Sequence, residues 1–533
     1  MIFNPLEEYN SKFKELHSQN VNAFFDELVK RSGVDIEANR KTVKQYNELT
    51  FGLKKLRRKL NWLRVLRVLM IITLVLIPLV ILKTTPKIKT LRGEIEEGDK
   101  RAAELLEEAN NQMLALNALF TDSDATALVE KTVPDFDFAP VFTVEQEKDM
   151  RINYDFSGSA DRNYSTLDLL SGMYNENPFL FENRLVHTMG TETYHGYKTI
   201  HWTETYRDSN GKMRTRSRSQ TLHATVTKPK PFYSTEVVLH YCAQAAPELC
   251  FSRDASHLDT KSERELERHV KRGERRLRKK TDKAIGNNGS FMSMSNTEFE
   301  VLFDALDRTD EVQFRTLFTP LAQTNMEDLI LSKDGYGDDF FFFKKRRTSE
   351  IVTKHSQGRG LTVSAKGYVS YSFDEIKNNF ITKNNEYFKA VYFDFAPLLA
   401  IPAYQDRPVH SLKPIPDGEQ LYSLKESEAL ANLADEDVTV HPRTKTRAIL
   451  KSEYVGTVRD SDEMAITAYS YDILKRVDVV SMHGGDGRFH NVSVEWDEYI
   501  PLEAKNSFFV TSIDKADGQR VSSRRNGLCM LNN

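Results

Sequence analysis

Five histidines fall within one stretch of the chain that alternates polar and apolar residues: His187, His195, His201, His223 and His240. Cys242 lies two residues after His240, so a strand would place both on one face. Imidazole nitrogen and thiolate sulfur are ligands for zinc or copper, and a histidine beside a thiol can activate a nucleophile. None of these residues has the spacing of an established metal motif, and polar strand faces collect histidine without binding anything. His195, His201, His240 and Cys242 therefore stand as weak metal candidates, and no cofactor is expected.

A second chemistry is anion binding. The segment KMRTRSRSQTL places Lys212, Arg214, Arg216 and Arg218 at alternate positions, hence on one face of a strand. Guanidinium groups in a row suit phosphates, anionic polymers or anionic lipid. The helix-like KRGERRLRKK run offers the same chemistry, diluted by Glu263, Glu265, Glu267 and Glu274. A solvated face is the plainer reading of both. Tyr336-Gly337-Asp338-Asp339 looks like the metal-holding turn of template-directed polymerases, but the likeness stops at four residues. Glycine and aspartate are ordinary turn formers, and the segment reads as a turn before the Phe340–Phe343 strand. No phosphate-binding glycine loop, nucleophile elbow, His-Glu-x-x-His or calcium loop occurs.

The elements that would position these residues begin with the apolar run Val68 to Leu82, which carries no charge and is flanked by basic residues. Extended back to Trp62, it approaches the roughly 20 residues a membrane helix needs, with Arg64 and Arg67 able to reach the headgroups. A single crossing over 62–83 is preferred to a buried core helix. A re-entrant hairpin ranks last, because the following KIKTLRGEIEEGDKR is too charged to enter lipid. The basic excess upstream favours a cytoplasmic N-terminus and an external body, and the first residues lack the pattern of a cleavable signal.

Heptad-spaced apolar residues lie on both sides of this run. Leu49, Leu53, Leu56 and Leu60 precede it; Leu91, Ile95, Leu105 and Leu116 follow it. They read as self-association seams, with 86–120 as a coiled-coil-like stalk. A single amphipathic helix lying on its own domain is the competing reading. If the chain crosses a membrane between the two stretches, they cannot pair with each other.

The expected class is α+β. A helical segment covers 1–61, and an α+β body with antiparallel sheet covers 121–405. Within the body, Asp208-Ser209-Asn210-Gly211 closes a hairpin over 194–226, and helices occupy 257–318. Thr297 and Glu300 form a capping box, and that helix should end before Pro320. The apolar stretch Tyr387–Tyr404 reads as core, 406–447 as a linker or surface excursion, and 448–533 as β-rich.

The 74 basic and 77 acidic residues nearly balance, which removes any global nucleic-acid signal. Three cysteines are too few for a disulfide scaffold, although Cys242 and Cys250 could pair outside the cell.

Three stretches, RTLFTPLAQTNMEDLI, GYGDDFFFFK and YFDFAPLLAIPAYQ, with the hairpin and the segment APELCFSR, resemble an uncharacterised family of membrane-anchored proteins from mycoplasmas and related low-GC bacteria. The resemblance implies a bacterial plasma-membrane protein and assigns no activity. The expectation is a membrane-anchored structural or interaction protein of a bacterial envelope. It would self-associate as a homo-oligomer or bind an unknown protein partner. The alternatives are a binding module for an anionic lipid or envelope polymer, and an enzyme of unrecognised type.

Overall fold

The computed structural model describes residues 1–72, 85–139, 141–157, 161–287, 289, 291–408, 423–434, 439–458, 461–512 and 528–531. It confirms the α+β class, with helices beside antiparallel sheets. The chain forms two units: Glu7–Pro134 with Thr362–Tyr392, and Met1–Leu6 with Asp135–Leu361 and Phe393–Asn533.

The first unit is helical. Helix α1 (Lys14–Ser32) stops at Gly33, whose φ of +62° suits a residue without a Cβ. Helix α2 (Ile36–Ile72) and helix α3 (Thr85–Asn117) are joined through residues outside the description, and α4 (Asp124–Thr132) follows. The two heptad seams meet each other. Leu60 clusters with Ile88, Leu91 and Ile95, and Leu56 and Leu63 pack against that cluster. Arg57 pairs with Asp99 at 2.7 Å, and Asn39 reaches Gln112. Numbering rises along α2 as it falls along α3, so the pair is an antiparallel hairpin. A Cβ on Gly98 would sit 2.5 Å from Leu53 Cδ2, so glycine there admits the leucine.

At the other end of that hairpin, Met113 and Leu116 of α3 share a core with Val21 and Phe25 of α1. Phe373, Ile376 and Phe380 belong to the same core, with the Phe25 and Phe380 rings 5.5 Å apart. These three residues lie in the first turns of the helix Phe373–Leu399, whose last residues from Phe393, with Asp394 and Pro397, belong to the other unit.

The second unit holds two sheets, antiparallel throughout. Strands β1 (Phe136–Ala139), β2 (Tyr164–Tyr174), β3 (Asn177–Arg207), β4 (Met213–Cys242), β5 (Cys250–Arg253), β6 (Phe340–Lys345) and β7 (Thr348–Thr353) lie in the order β1-β2-β3-β4-β7-β6-β5. Strands β8 (Ile449–Val458), β9 (Ser461–His483), β10 (Phe489–Ser512) and β11 (Leu528–Leu531) lie in the order β11-β10-β9-β8. The expected hairpin closes at Asp208–Gly211, where the Asp208 side chain accepts from the Asn210 and Lys212 amides. It is far longer than 194–226, with cross-strand pairing from Phe179–Tyr241 out to Arg207–Met213.

The helices of this unit include α5 (Val144–Tyr154), α6 (Glu263–Gly286), α7 (Thr297–Phe303), α8 (Glu311–Leu317) and α9 (Pro320–Leu331); the helix that crosses from the first unit, Phe373–Leu399, is α10, and α11 is Leu424–Ala431. The helix after 297 differs from expectation. Asn296 caps it by accepting from the Phe299 amide, while Glu300 bonds the Met294 amide and Arg308. Pro320 opens a helix at its first position, where a missing N–H costs nothing, and a separate α8 precedes it. Where a linker or surface excursion is expected, α11 is buried along most of its length, charged residues included. Residues 409–422 lie outside the description.

The anticipated membrane helix over 62–83 lies partly outside the described residues, at 73–83. Among the described residues no helix is long and apolar enough to cross a membrane.

Candidate functional site: two buried ion networks and an exposed ribbon

The proposed metal residues do not converge. His240 and Cys242 share a face of β4 near its end, and both are buried. Cys242 sits among Phe142, Met150, Tyr154 and Leu180, and burial pushes its thiol up to about 12, the opposite of a nucleophile. His195 and His201 lie far out on the hairpin, exposed. His240 lies seventeen positions beyond His223 along β4, on the order of 55 Å. Among the described residues no group of three or more histidine, cysteine, aspartate or glutamate side chains is arranged to hold a metal ion. His195 instead meets His223, Nδ1 to Nε2 at 2.9 Å, and Tyr197 stacks on His223 with ring centroids 4.7 Å apart.

His240 belongs to a buried ion network between β2, β3, β4 and α11. Its Nε2 lies 3.2 Å from Glu182 Oε2. Lys425 of α11 donates to both Glu182 oxygens at 2.8 and 2.7 Å, and Thr166 donates to Oε1 at 2.7 Å. Burial raises the Glu182 carboxyl, but the Lys425 ammonium and His240 outweigh it and hold the group well below the carboxylate range. Nearby, Lys451 pairs with Glu428 at 3.0 Å, and Glu428 Oε2 accepts the Thr166 amide. The network ties α11 to the sheet and leaves Glu182 with no oxygen open to a substrate.

The Tyr336–Asp339 turn supplies a second network. Asp338 pairs with the buried Arg253 and accepts the Ser256 and Leu258 amides. Asp339 Oδ2 accepts from His355 Nδ1 at 2.6 Å and from the His355 amide at 3.0 Å. His355 Nε2 lies 3.3 Å from Asp394, which also receives Thr353, Ser356 and Arg359. Tyr336 stacks on His355 at 3.8 Å. Burial lowers the imidazole, and the bonds to the two carboxylates reverse this and carry it to about 9. The pair of aspartates that looks catalytic in the sequence is thus divided between two structural cations.

The remaining candidates lie on the outer hairpin, whose two faces differ. The even-numbered face, with Ile200, Leu222 and Ala224, packs on Val492 and Val494 of β10. Gly196 permits the approach, because a Cβ there would collide with the Ser493 carbonyl and Val494. Toward the tip the same face carries the arginine row. Arg214 pairs with Asp208, and Arg216 and Arg218 share Glu204 at 2.8 and 3.0 Å. Lys212 is exposed. Two carboxylates therefore interrupt the row, yet residues 198–218 still hold six cationic side chains against two acidic ones.

The odd-numbered face is exposed throughout. Thr191, Thr193, His195, Tyr197, Thr199, His201, Thr203 and Thr205 run beside Thr215, Ser217, Ser219, Thr221, His223, Thr225 and Thr227. The Thr199 and Thr221 hydroxyls meet at 3.1 Å. No charge interrupts these rows over about 45 Å. The histidine spacing alone does not show this setting; threonine at alternate positions in both strands is the signal that marks it.

The self-association candidates are occupied within the chain. Leu53, Leu60, Leu91, Ile95, Leu105 and Leu116 are buried, and Leu49 and Leu56 are half-buried. A cleft of about 650 Å³ lies between α5, α11 and β8, lined by Lys148, Arg151, Glu147, Glu453 and Tyr454 among others. Its mixed charges define no ligand class. No protein-family model, curated protein or solved structure matches this chain.

Proposed function

We propose that the protein is a membrane-attached, non-enzymatic interaction protein of a bacterial envelope. The observation that carries this reading is the outer face of the β3–β4 hairpin. It is about 45 Å of exposed hydroxyl, imidazole and phenol groups, backed over its inner part by Val492 and Val494 of β10. Donors and acceptors in a row suit a partner recognised by hydrogen bonds and ring contacts. The two buried networks support the non-enzymatic part, because their acids and bases are committed to each other. The apolar run at 68–82 and its basic flanks support membrane attachment.

A photo-crosslinking residue placed at Tyr197 in the full chain tests this reading in intact cells. A discrete adduct from 197, weakened when Thr199 and Thr221 become glutamate, is the expected result. The absence of any adduct at 197 would remove the interaction reading. A second reading, binding of an anionic polymer, rests on the four-charge excess of the hairpin tip. It requires affinity that falls steeply with salt and with Lys212→Glu.

A further inference from the structure

The hairpin of α2 and α3 bears on how the chain meets a membrane. Asn39 against Gln112 and Leu53 against Gly98 set the register, and Leu60 against Ile88 and Leu91 continue it. A straight helix from Leu63 to Ile88 would hold these residues about 37 Å apart. They belong to one packed cluster instead. The opposite end of the hairpin adds an independent constraint, since Val21 and Phe25, before the apolar run, share a core with Met113, Leu116 and Phe373, after it. A single crossing would put a bilayer through that core.

The charge pattern fits one leaflet. No aspartate or glutamate occurs from Leu49 to Gly93. The register brings Lys59 level with Arg92, and Arg64 level with Lys87. These four side chains are exposed, as are Arg58, Lys89 and, at 64 %, Trp62. Basic residues from both arms therefore ring one end of the hairpin, with an interfacial tryptophan among them.

Resting on the membrane-attachment reading above, we infer that the chain inserts from one side only. The basic collar of α2 and α3 engages anionic phospholipid headgroups of a single leaflet, and the segments before and after the apolar run stay on the same side. This replaces a crossing with the N-terminus inside and the body outside.

Single cysteines at Ser11 and Ser481, in a chain whose Cys242, Cys250 and Cys529 are alanine, test it with an impermeant thiol reagent on intact and permeabilised cells. Equal behaviour of the two sites, both labelled or both protected until permeabilisation, is expected. Labelling of one site alone in intact cells overturns one-sided insertion while leaving membrane attachment in place. A protein absent from the membrane fraction overturns both. Should the cysteine-free chain misfold, the natural chain sedimented with phosphatidylglycerol and with phosphatidylcholine vesicles gives a second measure. Arg64→Glu with Lys87→Glu should reduce binding to the anionic vesicles at least tenfold, and unchanged binding overturns the collar.

Discussion

His355 bridges two carboxylates, Asp339 through Nδ1 at 2.6 Å and Asp394 through Nε2 at 3.3 Å. Its folded pKa of about 9 stands above the ordinary value of 6.5, so the imidazolium is what the fold stabilises. That contribution is fully present below about pH 6.5 and is lost as pH rises through 9; the difference amounts to about 3 kcal/mol. Lys344 acts in the opposite sense, because burial lowers it to about 7 and folding then becomes easier between pH 7 and 10.5. The comparison of the natural chain with His355→Gln isolates the imidazole. Their stability difference in urea should shrink between pH 6.5 and 10, and a constant difference would place no proton there.

Lys425 is the cation that most directly offsets the buried Glu182. Lys425→Met should cost about 3–5 kcal/mol, since it leaves a carboxylate in an apolar setting with weaker partners. Adding Glu182→Gln should recover at least half of that loss. A double variant no more stable than Lys425→Met, in chemical unfolding, would contradict the pairing.

Gly196 brings the outer hairpin against the β9–β10 ribbon. Gly196→Val must displace the Ser493 carbonyl and should cost about 1–3 kcal/mol, with faster amide exchange in β10. Thr199→Val, on the exposed face, should change stability by under about 0.5 kcal/mol. Equal effects of the two would mean that the ribbons are not in contact.

Leu105 lies at 5 % exposure in the heptad seam of α3. Leu105→Asp should destabilise the first unit by about 3–5 kcal/mol, because the charge is desolvated without a partner. Its molar mass by light scattering should match that of the natural chain. A variant that folds normally but changes oligomeric state would show the seam to be intermolecular.

Local order was legible wherever the signal lies within a few residues. Alternation and Asp208–Gly211 specify a hairpin, since the strand period and the turn are read from neighbours along the chain. Heptads specify helices on both sides of Val68–Leu82, and Tyr387–Tyr404 is core as its composition requires. The choice of partner was another matter. A heptad seam states that a helix needs an apolar neighbour, but the same residues serve a second chain or the other arm of the same one. Likewise Asp338 and Asp339 advertise carboxylates, while Arg253 and His355, the cations that claim them, come from other segments. Lys425 looked like linker charge until a fold placed Glu182 beside it. Periodicity is a property of adjacent residues and is written in order along the chain. Pairing of buried groups is decided by which distant segments exclude water from one another, and only the tertiary structure settles that.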